Sequence, residues 1–187
     1  MRYLALLRGI NVGGKNRVDM LRLRESFERL GYTDVVTYIN SGNVVFTAGY
    51  DASGDHSGLV TAIEAELAAD FGFPIRTLVL DRDTIAGVVA ELPPSWVNDK
   101  VMKCDAMFLW DEVAGPDALE RLTIRPGIDD VKYVNSTILW RVDRTNQSRS
   151  GQQKLASTFV YRHMTIRNCN TLRKLAQLVA EEPGRGQ

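Results

Sequence analysis

The run Gly9-Ile10-Asn11-Val12-Gly13-Gly14-Lys15-Asn16 has the spacing G-x-x-x-x-G-K-N. It differs at its last position from a phosphate-binding P-loop. In that motif glycine amides cradle phosphate, and a Ser/Thr after the lysine holds magnesium. Asn16 removes that hydroxyl. The two strands expected next form a tight hairpin, whereas a P-loop protein needs a parallel sheet built by crossovers. A milder chemistry survives. Arg8, Asn11, Gly13, Gly14, Lys15 and Asn16 would present backbone N–H groups beside cations, an anion cradle. The alternative is a long glycine turn from strand to helix, with Lys15 simply solvated.

A second candidate is Met164-Thr165-Ile166-Arg167-Asn168-Cys169-Asn170-Thr171, which leads into the last helix. Thr165, Asn168 and Asn170 are all competent helix caps, more than one helix needs. Arg167 beside a positive helix end costs roughly 0.3–1 kcal/mol unless an anion offsets it. Thr165, Arg167, Asn168, Asn170 and Thr171 therefore read as a phosphate or carboxylate site. The competing reading is a salt bridge from Arg167 to an acid in the middle of the chain.

A third is the pair Tyr38 and Asn40, with its counterpart Tyr133 and Asn135. Alternate strand residues share a face, so each pair sets an aromatic beside an amide, able to stack on and hydrogen-bond a nucleobase. The several aromatics that RNA-recognition sheets carry on their third strand are absent, and Phe46 and Trp140 read as core. No serine or carboxylate nucleophile stands out with a partner. Cys169 sits near a helix start and Arg167, which favours a thiolate, but spacing places no histidine beside it.

The elements that must position these residues follow from patterning. Tyr3–Leu7 is an uninterrupted apolar run, a buried strand. Asp19 caps a helix to about Leu30 with Leu23, Phe27 and Leu30 on one face. Val35–Ile39 and Val44–Thr47 form a hairpin about Asn40-Ser41-Gly42-Asn43. Ala48–Gly58 is a polar loop, Leu59–Phe71 a helix and Ile75–Leu80 a strand. Asp81 caps a helix to about Leu92, and Pro93-Pro94 breaks it. Lys103–Trp110 is a strand, and a helix starts near Pro116 and ends before Pro126. Val131–Val134 and Ile138–Val142 make a second hairpin. Asp143–Gly151 is a polar loop, Gln152 to about Arg162 is helical, and Leu172–Glu181 is an amphipathic helix.

The two hairpins share Tyr-(Ile/Val)-Asn-Ser, and each half opens with a strand and a helix, as a duplication would leave them. The expected fold is therefore α+β: two ferredoxin-like βαββαβ-type subdomains related by duplication, with an extra C-terminal helix. Residues 1–92 would be the first subdomain plus a connecting helix. Residues 93–187 would be a second, irregular copy.

With 44% hydrophobic and 25% charged residues, the chain has globular composition and enough apolar mass for a core. The apolar opening is broken by Arg8 and is too short for a signal peptide or a membrane span, so no membrane role and a cytoplasmic location are expected. Cys104 and Cys169 lack CxxC spacing, which argues for a reducing compartment and against a disulfide framework. A zinc site would need them to converge with His56 and His163, so no metal or cofactor is expected. Residues 1–30 carry seven Lys/Arg against three Asp/Glu, residues 31–131 six against seventeen, and residues 132–187 ten against three. Both ends are basic. They either share a basic face or pair with the acidic middle.

Leu6–Asn16, Tyr38–Phe46 and Thr165–Thr171 together resemble the bacterial family catalogued as domain of unknown function 1697. The resemblance implies two ferredoxin-like subdomains and no particular activity. Relatives usually carry tryptophan where this chain has Cys169.

The residues point first to a non-enzymatic binding protein for a phosphate-bearing ligand, with nucleic acid favoured. Arg8, Lys15, Arg17, Arg167, Arg173 and Lys174 would contact phosphates, and Tyr38 and Asn40 bases. The alternatives are an enzyme acting on a small phosphorylated or carboxylated metabolite between the two halves, and a protein that pairs through sheet edges. The oligomeric state is not legible.

Overall fold

The computed structural model describes residues 1–49 and 56–181. It is an α+β structure with two four-stranded antiparallel sheets. The chain clusters into two compact units, Met1–Ile85 with the chain from Leu175 onward, and Ala86–Lys174. The divisions fall inside two helices, α3 (Arg82–Glu91) and α5 (Cys169–Ala180).

The first unit begins with β1 (Arg2–Leu7), whose Tyr3–Leu7 run is buried throughout. A strand apolar at every position suits a sheet covered on both faces. Helix α1 (Met20–Arg29) starts where Asp19 accepts a hydrogen bond from Arg22 N at 2.9 Å. It buries Leu23 and Phe27, one turn apart. Strands β2 (Thr33–Tyr38) and β3 (Asn43–Thr47) follow, then α2 (Ser57–Phe71) and β4 (Thr77–Asp81). Residues 50–55 of the expected Ala48–Gly58 loop lie outside the described residues, and its last two open α2. The strand order is β2-β3-β1-β4. Asp34 has φ 50°, and the β2–β3 register shifts between Thr33 and Val36, a bulge on an edge strand.

On the core face Tyr3, Ala5 and Leu7 meet Phe27, Phe46, Ile63 and Leu67. Asp70 of α2 ties the two helices together. It accepts from Ser26 Oγ at 2.6 Å, Arg22 Nε at 2.8 Å and Arg29 Nη2 at 2.5 Å, all on α1. The Ser26 hydroxyl and the two guanidiniums hold its carboxyl well below the usual carboxylate range.

The second unit holds β5 (Met102–Leu109), β6 (Asp129–Val134), β7 (Thr137–Asp143), α4 (Phe159–Arg162) and β8 (Met164–Asn168), in the sheet order β6-β7-β5-β8. The helix expected from Pro116 is only a 3₁₀ turn, Pro116–Leu119. Past it the chain must bring Arg125 N to Asp129 Oδ2 at 2.8 Å, and Thr123 packs against Gly151. The expected Gln152–Arg162 helix is a 3₁₀ segment, Gly151–Ser157, followed by the short α4. Met164–Asn168, read as the capping lead into the last helix, is an edge strand paired with β5.

Asp129 is the polar hub of this unit. Its carboxylate accepts from Arg125 N, Gly151 N at 2.9 Å, Trp140 Nε1 at 3.1 Å and the Ser150 hydroxyl. Burial pushes its pKa up, but these four donors outweigh burial and leave it below the usual value.

The expectation of unpaired thiols is overturned: Cys104 and Cys169 form a disulfide. The cause is register. Asp105 pairs with Asn168 across β5 and β8, so the flanking Cys104 and Cys169 come to a Cα–Cα distance of 5.5 Å. Sequence spacing hides this because the residues are 65 apart. The reducing-compartment reading loses that support. Among the described residues no helix is long and apolar enough to cross a membrane.

Candidate functional site

The glycine loop is a miniature hairpin. After β1, Leu7 N donates to Gly42 O at 2.8 Å and Arg8 N to Arg76 O at 2.9 Å. Beyond Gly9, Asn11 N donates to Asn16 O at 3.0 Å and Lys15 N to Val12 O at 3.1 Å, with a bridge between Val12 and Lys15. Gly13 and Gly14, at φ 59° and 76°, make the tip. Two successive left-handed residues are what the tightest hairpin turn demands, and Gly-Gly adopts them without strain. This is not P-loop geometry: the N–H groups of Asn11 and Lys15 are spent inside the hairpin, and α1 begins five residues after Lys15.

The amides that suggested ligand contacts lock this hairpin. Asn11 Nδ2 donates to Val18 O and to Asn40 O, both at 3.0 Å, and its Oδ1 accepts from Val18 N at 2.9 Å. Asn16 Nδ2 donates to Gly9 O at 3.1 Å. Arg8 is half-buried and engaged. Lys15 and Arg17 differ: both are exposed, and neither has an ion pair or side-chain hydrogen bond to a described residue.

Beside the hairpin runs the β2–β3 turn. Ile39 has φ 49°, a costly conformation for a β-branched residue. That kink breaks strand alternation. Tyr38 ends β2 half-buried and Asn40 stands exposed in the turn, so the two do not share a strand face as expected. Asn11, Gly14, Arg17, Val18, Asp19 and Asn40 line an open cleft of about 460 Å³. Val12 and Ile39 stand exposed near it, at 67% and 50%.

The second group of candidates lies in the other unit, buried at Thr165, Arg167 and Thr171, half-buried at Asn168 and exposed at Asn170. Arg167, on β8, is 7% exposed and donates from Nη1 to Thr165 Oγ1 at 2.9 Å and Ile166 O at 2.8 Å. Burial lowers its pKa to about 10. Thr165 and Thr171 are buried. Asn168 Oδ1 accepts from Thr171 N at 2.9 Å, the cap of α5. Asn170 clamps Asn98, accepting from its N at 3.1 Å and donating to its O at 2.8 Å. Arg173 donates to the Trp96 and Pro93 carbonyls, both at 2.8 Å. Tyr133 Oη accepts from Gly115 N at 2.8 Å, and Asn135 packs so close to Gly87 that a Cβ there would meet its Nδ2 at 2.6 Å.

The structure thus brings Asn11, Gly14, Arg17 and Asn40 into the lining of one cleft, with Gly13, Lys15 and Asn16 on the same hairpin outside that lining. It sets Thr165, Arg167, Asn168, Asn170 and Thr171 into the frame of the other unit. Sequence reasoning missed Val18 and Asp19 as cleft residues. The signal for Asp19 was its role as a cap, which places it where the loop ends. It also missed Asp129, for which no local pattern exists: it is one of 23 acids.

Residues 1–140 match the family described as "Protein of unknown function (DUF1697)". The chain belongs to this family. The DUF1697 match includes the glycine hairpin and the β2–β3 turn and ends before Thr165. The chain is also similar to a solved structure described as that of conserved bacterial protein SP0830 from Streptococcus pneumoniae. Identity is 32%, over 95% of this chain and 98% of that one, with a TM-score of 0.80. No curated protein matches.

Proposed function

We propose that this DUF1697 protein binds a phosphate-bearing ligand, nucleic acid being the favoured class, through the exposed hairpin Asn11–Arg17. One observation carries the reading. Lys15 and Arg17 stand exposed and unpaired among the described residues, on a hairpin that Asn11 and Asn16 hold rigid beside a cleft. A loop ordered before binding loses less entropy on contact with ligand. Unpaired cations are where phosphate gains most from neutralisation. Asn40, exposed in the cleft lining, would be the group that meets a base. Arg167, Thr165, Asn168, Asn170 and Thr171 enter this reading as the frame of the second unit.

We also infer a duplication of a ferredoxin-like unit over residues 1–92 and 93–187. It is supported by matching strand orders in the two sheets and by a helix directly after each fourth strand, α3 after β4 and α5 after β8.

The test is fluorescence anisotropy with labelled single-stranded RNA and DNA, at low and near-physiological salt. Binding should weaken with salt, with a log–log slope of about −0.7 per neutralised phosphate. Lys15→Glu with Arg17→Glu should lower affinity at least about tenfold, as loss of several phosphate contacts would. Unchanged affinity in that double variant removes the reading.

A further inference from the structure

From Arg144 to Ala180 the chain carries seven Lys/Arg and no Asp/Glu. Some of these cations have structural work. Arg144 donates to Asp99 O at 2.5 Å, Arg173 binds two carbonyls, and Arg167 is interior. Arg149, Lys154 and Arg162 are different. All three are exposed, and none has an ion pair or side-chain hydrogen bond to a described residue. Arg22, Arg24 and Arg29 of α1, by contrast, are each paired with a carboxylate.

Phe159 stands in the same stretch and is 61% exposed. Its position is built. Thr158 caps α4 by accepting from Tyr161 N at 3.1 Å, and Val160 is buried in the unit's core. Phe159 and Arg162, three apart on that short helix, are left outside. The His163 ring packs against Phe159 with centroids 4.3 Å apart. His163 is itself fixed, its Nδ1 3.1 Å from Phe159 O and its carbonyl accepting from Trp110 N at 3.0 Å. The result is an aromatic pair, ordered in advance, in a segment of unpaired cations. Aromatic faces for bases and cations for the backbone are the two components of single-strand recognition.

We propose that α4 and the two 3₁₀ segments before it, Arg144–Arg149 and Gly151–Ser157, form a single-stranded nucleic-acid surface, with Phe159 stacking on a base and Arg149, Lys154 and Arg162 on phosphates. The inference stands on its own residues and does not rest on the hairpin reading. The full chain is titrated against labelled oligothymidine and against an abasic strand of the same length, at low salt. Phe159→Ala should weaken oligothymidine binding about tenfold and leave the abasic strand unchanged, because only the former has a face to stack on. Phe159→Trp should retain binding. Arg149→Glu with Lys154→Glu and Arg162→Glu should weaken both strands. Phe159→Ala indistinguishable from wild type on oligothymidine, or no binding of either strand, overturns the inference. Loss with Lys15→Glu and Arg17→Glu but not with Phe159→Ala leaves the hairpin reading standing alone. The converse pattern leaves this surface alone.

Discussion

Asn11 pairs with Val18 as a strand residue pairs with its neighbour, but through its side chain. Oδ1 accepts from Val18 N at 2.9 Å and Nδ2 donates to Val18 O at 3.0 Å. The same Nδ2 reaches Asn40 O, so one carboxamide fixes the hairpin, the entry to α1 and the β2–β3 turn. Asn11→Asp keeps the acceptor and turns the donor against two carbonyls. It should cost about 1–3 kcal/mol, the penalty for unpaired polar groups, read as a lower urea midpoint with unchanged slope.

Gly151 admits no side chain. A Cβ there would lie 1.6 Å from Thr123 O, a backbone atom, and 3.2 Å from Asp129 Oδ2. Gly151→Ala must displace the segment that carries the Asp129 hub. Asp129→Ala leaves Trp140 Nε1 and the N–H groups of Arg125 and Gly151 without their acceptor. Each substitution should cost about 3 kcal/mol or more. The Trp140 indole N–H resonance should lose its native shift in both.

Asp70 makes the first unit sensitive to acid. Its folded carboxyl titrates below its unfolded one, so its contribution is complete above about pH 4 and is lost as pH falls toward the folded value. Because Arg22 and Arg29 are about half exposed, Asp70→Asn should cost only about 1 kcal/mol at neutral pH. Thermal melts of wild type and variant should differ at pH 7 and draw together only as pH falls from about 4 toward the folded value.

The Cys104–Cys169 bond closes a loop with a sequence separation of 65. Restricting that loop in the unfolded chain is worth about 2–4 kcal/mol. Cys104→Ser with Cys169→Ser should lower stability by that amount. Both sulfurs are buried, so an alkylating reagent should find no thiol in the native wild type and two after reduction in denaturant.

Much of the architecture was legible because local and global signals agreed. The unbroken Tyr3–Leu7 run announced β1, and Asp19 announced α1. Asp81, as expected, caps α3, accepting from Thr84 N at 2.6 Å. What escaped was set by contacts distant in sequence. β8 contains Thr165, Arg167 and Asn168, residues that read as caps of the last helix until β5 pairs with them. The helix expected from Pro116 yields to the approach of Thr123 to Gly151. Tyr38 and Asn40 were assigned one face because alternation assumes extended backbone, and Ile39 departs from it. For the candidate site, residue types located the glycine loop. They did not reveal which amides were already spent, since that depends on Val18 and Asn40 folding back against Asn11.

The bulge at Asp34 bears on how copies of this chain meet in a crowded solution. A sheet border with regular register is a template on which another strand can add, the first step toward a fibre. On β2 that template is interrupted where Asp34 turns to φ 50° and the ladder skips from Thr33 to Val36. An incoming strand would find bonding groups out of phase and a carboxylate at the fault. The border gives up a stretch of regular pairing and in exchange resists capture by its own kind.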